Sequence, residues 1–279
     1  MEHQFVHFGD SLTEQSFSQT RGFAFGAALS ALYARRLDVL NRGLSGYNST
    51  QALQALPLCI PPPSHSQVRL LTIWLGANDA RIPGSPGGPD QSVPIETFKS
   101  NIRGIVRHPC VQAHRGVKVV LITTPPVDER KCLKADQEKY PALAGVLRRS
   151  AAHTAAYAQA VRDVGVELEV PVVDIWSALV ARAGYAGPVE GEAVAGALGL
   201  PTCEGLQGFL HDGLHFDGEG YRVLFGEVMG LVGRLWPELM PSRLPMRLPA
   251  WDDAGAWQEG GRGDVMLREG RAVETEDGE

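Results

Sequence analysis

Five short apolar or β-branched runs punctuate the chain: Phe5–Phe8, Asp38–Asn41, Val68–Leu75, Val117–Thr123 and Val170–Ile175. Most are apolar at both alternating positions, the pattern of a strand covered on both faces. Longer segments with helical spacing lie between them. Gly22–Arg36 sets Phe25, Leu29, Leu32 and Tyr33 on one face, and Ile95–His108 groups Phe98, Ile102 and Ile105 before Pro109. Leu143–Val164 carries Val146, Leu147, Tyr157, Val161 and Val164 and stops at Gly165; a last helix over about Gly218–Leu235 stops before Pro237. This alternation predicts a mainly parallel five-stranded sheet with helices on both faces, where sites form beyond the carboxyl ends of the strands.

Three stretches break the rhythm. Arg81–Pro94 is a Pro/Gly-rich loop after the third strand, and Gly184–Gly208 is a long, weakly patterned insertion. Such loops are surface excursions unless they serve as lids or pocket walls. The expected division is a domain over 1–240 and a tail over 241–279, Pro/Trp-rich at first and then acidic and disordered. The stretch "SRLPMRLPAWDD" is the part of the tail able to pack on the body.

At 279 residues, 44% of them hydrophobic, the chain can bury a sizeable core. Its net charge of −6 and scattered basic residues exclude a nucleic-acid face. "YARR" (Tyr33–Arg36) and "LRR" (Leu147–Arg149) read as solvated ends or faces of helices. Cys59, Cys110, Cys132 and Cys203 show no metal-binding spacing and read as free, buried thiols. No leader and no apolar run of ~20 residues is visible, so the expectation is a cytoplasmic protein with no membrane span.

Four pieces carrying chemistry fall at strand ends. Ser11 lies three residues past the first strand; "NRGLSGYNS" (Asn41–Ser49) follows the second; "LGANDA" (Leu75–Ala80) closes the third; "LHDGLHFDGEG" (Leu210–Gly220) precedes the last helix. A serine hydroxyl needs a base, and the base needs an orienting group. Asp212 and His215, three residues apart in a Gly-containing turn, can meet locally, leaving Nε2 for the serine. Acyl transfer also needs donors for an oxyanion: the N–H groups of Ser11 and Gly46 and the amide of Asn78 are the candidates. Asp10 is kept as a structural acid.

These blocks, "FGDSL", "GLSGYNS", "GANDA" and "DGLHFD", resemble those of the GDSL or SGNH hydrolases. Within that superfamily "GAAL…YARRLDVLNRGLSGYNS", "ITTPPVDE" and "PAWDD" resemble the fungal-type isoamyl acetate-hydrolysing esterases. The resemblance implies a three-layer α/β/α, SGNH (flavodoxin-like) fold. It implies Ser11 as nucleophile, His215 as base, Asp212 as its orienting acid, and Ser11, Gly46 and Asn78 as the oxyanion hole. The implied activity is hydrolysis of short-acyl esters through an acyl-enzyme, with no metal or organic cofactor. The expected partner is a small-molecule ester, and the chain a monomer or homodimer.

Residues flanking the blocks are the candidate pocket: Leu12, Tyr47, Ala80, Ile82, Pro126, Leu214 and Phe216. Trp74 and Trp176, within predicted strands, read as core. Two other ester-cleaving readings use the same groups: a deacetylase of a sugar or secondary metabolite, and a lysophospholipase or thioesterase. A non-catalytic binding module would have lost one of the groups, and all are present.

Overall fold

The computed structural model describes residues 3–185 and 194–260. Five parallel strands, β1 (His3–Gly9), β2 (Asp38–Gly43), β3 (Gln67–Trp74), β4 (Lys118–Ile122) and β5 (Val172–Val173), form one sheet in the order β2-β1-β3-β4-β5. Helices α1 (Ser11–Gln15), α2 (Phe25–Leu32), α3 (Ser49–Cys59), α4 (Ile95–Arg107) and α5 (Pro109–Gln112) come in the first half. After β4 follow α6 (Glu129–Lys139), α7 (Ala151–Leu168), α8 (Ile175–Arg182), α9 (Glu204–Gln207) and α10 (Gly218–Leu235).

The strands sort their side chains by the period-2 rule. Phe5, Leu70, Trp74, Val120 and Ile122 enter one core with residues of α2, α8 and α10. Val6, Phe8, Leu71, Ile73, Val119 and Leu121 enter the other with α3, α4 and α7. Both faces are covered, as the two-sided apolar pattern predicts, and the result is a three-layer α/β/α fold.

Several boundaries differ from the sequence reading for local reasons. The helix expected over Leu143–Val164 begins at Ala151, because Ser150 caps it by accepting the His153 N–H. Val146 and Leu147 therefore lie outside it. Gly165 is inside this helix, where a Cβ would collide with Val172 Cγ2, and the left-handed Glu169 ends it instead. The fifth strand is cut short because Asp174 caps α8, accepting the Ser177 N–H. Trp176 is thus helical, not in a strand, though it is buried as expected. The helices α1, α3, α5, α6, α8 and α9 add to those the periodicity predicted.

The four cysteines are free thiols, three buried and Cys110 partly so. Part of the tail returns to the body: Arg247 N–H donates to Arg35 O, and Arg36 donates to Leu244 O. The terminal stretch expected to be disordered lies outside the described residues. Among the described residues, no helix is long and apolar enough to cross a membrane.

Candidate active site

Strand register sets the site. Gly9 pairs with Gly43 on one side and with Trp74 on the other, so the loops after β1, β2 and β3 leave the sheet side by side. The β1 exit is tight. A Cβ on Gly9 would stand 2.3 Å from Trp74 O and 2.2 Å from Thr13 Oγ1, so only glycine lets the chain turn there. Asp10 then caps α1, its Oδ1 accepting the Leu12 N–H at 2.9 Å. That cap leaves Ser11 at the first helical position with a backbone N–H that no group accepts among the described residues.

Ser11 Oγ lies 2.9 Å from His215 Nε2. His215 Nδ1 lies 2.7 Å from Asp212 Oδ2, while Asp212 Oδ1 accepts the N–H groups of Leu214 (3.0 Å) and His215 (2.8 Å). Burial pushes the Asp212 carboxyl up, but these hydrogen bonds and the His215 ring outweigh it and hold the group well below the usual carboxylate range. Asp212 is therefore ionised, the Nδ1–H points to it, and the Nε2 lone pair faces Ser11. The Asp212–His215 turn is fixed from beneath by Phe216, whose ring meets that of Trp74 edge-on at 5.3 Å, and by Tyr221 O–H on Leu12 O.

Asn78 donates from Nδ2 to Tyr47 O (2.9 Å), which leaves its second amide hydrogen free, and its Oδ1 accepts from Arg149 at 3.3 Å. Gly46 takes φ +83°, a turn that glycine adopts without strain, and its N–H finds no acceptor among the described residues. Two residues tie the Gly46 and Asn78 loops together. Asp79 accepts the Ser49 N–H with both carboxylate oxygens, and Gln91 donates to Gly46 O at 2.7 Å. Burial pushes Asp79 up to about 6 against the pull of Ser49, and Asp10 up to about 7 against the Leu12 N–H.

Ser11, Gly46, Asn78, Asp212 and His215 share one cavity of about 550 Å³. Of the seven flanking residues proposed for the pocket, Leu214 lines it. Leu12, Ala80 and Phe216 are core residues, Pro126 is buried, Tyr47 offers its carbonyl to Asn78, and Ile82 donates its N–H to Arg148 O. The Arg81–Pro94 loop is a pocket wall: Gly87, Gly88, Pro89 and Gln91 line the cavity. None of the described residues of the Gly184–Gly208 insertion does; Gly196–Leu200 pack on α6 instead.

Two residues were missed. Arg149 sits in "LRR", read as a solvated helix end, yet a bridge between Arg81 and Arg149 folds it over the Asn78 loop, where it donates to Ala77 O. His211 stacks on His215 with ring centroids 5.7 Å apart, its Nε2 3.5 Å from Asp212 Oδ2. No local sequence signal marks Arg149; the spacing of His211 from His215 could have flagged the second. His211, Asp212 and His215 are also the one set among the described residues whose donor atoms could surround a metal ion. A cation there would have to take Asp212 from His215.

Residues 7–223 match the GDSL-like Lipase/Acylhydrolase family. The chain belongs to that family. Similar relatives include a GDSL esterase/lipase of Arabidopsis thaliana, 33% identical over 89% of this chain and 92% of the relative. The isoamyl acetate-hydrolyzing esterase of Saccharomyces cerevisiae is 32% identical over 90% of this chain and 94% of its own length. Among solved structures, the lipase/acylhydrolase of Enterococcus faecalis superposes with a TM-score of 0.55 at 21% identity, covering 89% of this chain and all of that one. The GDSL chain described here is thus a carboxylic ester hydrolase with the SGNH three-layer fold.

Proposed function

We propose that the protein hydrolyses short-acyl, acetyl-type esters through an acyl-enzyme on Ser11. The observation that carries this reading is the unbroken line Ser11–His215–Asp212 beside three uncommitted donors. Ser11 Oγ bonds to the ester carbonyl carbon while its proton passes to His215 Nε2. The oxyanion that forms receives the N–H groups of Ser11 and Gly46 and the free amide hydrogen of Asn78. Collapse breaks the bond to the alkoxide, which leaves with the Nε2 proton. Water then gives a proton to Nε2 and attacks the acyl carbon, and the proton returns to Ser11 as the acid departs.

The lining supports a short acyl group. Among the described residues Leu214 is its one large aliphatic side chain, which favours a small ester over the long chains of a lysophospholipase or thioesterase substrate. Gln15, Gln51 and Gln91 favour a polar alcohol, as the deacetylase reading requires.

The test is labelling with a fluorophosphonate probe, with peptide mapping, alongside hydrolysis of p-nitrophenyl esters of increasing acyl length. Modification at Ser11 and rates falling beyond short acyl groups are expected. Modification elsewhere overturns the nucleophile, and rates rising with chain length overturn the short-acyl reading.

A further inference from the structure

The chain as a whole carries a net charge of −6, but its active-site cavity does not share that sign. Among the described residues four cations line the cavity, Arg81, Lys139, Arg148 and Arg149, against two carboxylates, Asp136 and Asp212. Asp212 is spent on His215, and Asp136 pairs with Arg148 at 2.7 Å. Asp90 belongs to the same loop as Arg81 but does not line the cavity; its oxygens accept the amides of Gly84 and Ser92, and its charge acts on Arg81.

The remaining cations make their hydrogen bonds and ring contacts to neutral groups. Arg81, 1% exposed, gives its guanidinium to the carbonyls of Ser85, Pro86 and Pro89 and to Ser85 Oγ. Arg149 donates to Ala77 O and Asn78 Oδ1, and no carboxylate among the described residues lies within ion-pair distance of it. Lys139 rests over the Tyr140 ring. Bringing guanidinium groups out of bulk water without carboxylates is costly, and an anion entering the cavity recovers that cost. Arg149 is preorganised for it: two bonds fix the fork while other N–H groups stay uncommitted.

We propose that the preferred ester carries a carboxylate, bound by the wall of Arg149 and Lys139, with Arg148 holding the Asp136 charge off that wall, while Ser11 attacks the ester carbonyl. This rests on the esterase reading above and names its substrate class. A second use of Arg149, polarising Asn78 for every ester alike, would speed neutral and anionic esters equally, so the ratio of the two isolates recognition.

The experiment measures kcat/KM for matched pairs in two arms. In the acyl arm monomethyl succinate is compared with its neutral amide analogue; in the alcohol arm acetoxyacetate is compared with acetoxyacetamide. The neighbouring carboxylate can itself assist ester cleavage, so the uncatalysed rate of each ester is measured alongside and divided out. The anion is expected to win in one arm by at least about tenfold at about 20 mM salt, the advantage shrinking at about 500 mM. The winning arm says which side of the ester faces the wall. Arg148→Gln leaves the Asp136 carboxylate unpaired in the cavity and should pull the ratio toward one. Lys139→Gln, at the exposed end of α6, should do so without depending on the loop that Arg148 braces. Turnover of p-nitrophenyl acetate with no anion preference in either arm, or a preference that neither variant reduces, overturns this assignment alone. No turnover of any ester overturns the esterase reading as well.

Discussion

Ser11 Oγ and His215 Nε2 stand 2.9 Å apart although 204 positions separate them in the chain. The junction is made by β1 and by the turn before α10, pinned together by the Tyr221–Leu12 hydrogen bond. Among the described residues His215 is the one side-chain partner of the Ser11 hydroxyl, so Ser11→Ala removes chemistry and little stability. Activity on p-nitrophenyl acetate is expected to fall by at least about 10⁴-fold with the thermal midpoint nearly unmoved. A variant keeping a tenth of the wild-type rate would mean that another group attacks the ester.

Asp212 works through both of its oxygens. One holds the two backbone amides of the turn; the other holds the Nδ1–H of His215. Asp212→Asn keeps the shape but sets an amide against the ring, which favours the tautomer with its proton on Nε2. A drop in kcat on the order of 10³–10⁴ is expected, with near-wild-type folding by circular dichroism. A loss under tenfold would reduce Asp212 to a turn-former.

Asn78 is aimed by two contacts, Tyr47 O on its amide nitrogen and Arg149 on its amide oxygen. Asn78→Ala should cost about 10²–10³ in kcat, the usual size for one oxyanion donor, with KM changing far less. A change below about threefold in kcat would remove the side chain from the oxyanion hole.

How much of this was legible follows from where each residue's position is decided. The strands and the four chemical loops could be read because the two-sided apolar runs mark strand ends locally: Ser11, Gly46 and Asn78 each follow such a mark, and the Asp212–His215 turn precedes the helical pattern of α10. The pocket wall could not be read by adjacency. Leu12 is one helical step, about 100°, from Ser11 and so turns into the core. Phe216 likewise faces inward beside His215. Arg149 was opaque because only the pairing of Arg81 with Arg149 brings it to Asn78. Helix α3 contains Pro57, a local break signal, yet it forms because Asn48 and Gln51 cap it reciprocally, each accepting the other's N–H.

Asp10 gives a prediction with a definite sign. Its carboxyl is fully buried, Oδ2 has no partner, and burial raises its pKa from 3.8 to about 7. The folded protein therefore keeps a proton there that the unfolded chain releases above about pH 4. Folding binds more protons than unfolding in that window, so this group's contribution to stability is complete below about pH 4 and is lost as pH rises through about 7. His7, buried and lowered to about 3, pulls the other way, so the wild-type profile alone does not isolate the effect. Asp10→Asn does, because asparagine still caps α1 but cannot ionise. The thermal midpoint of Asp10→Asn minus that of wild type is expected to grow by at least about 3 °C between pH 4.5 and 7.5. A difference that stays constant, or shrinks with pH, would mean the Asp10 carboxyl is ionised in the folded protein throughout, its charge favoured by the nearby guanidinium of Arg149.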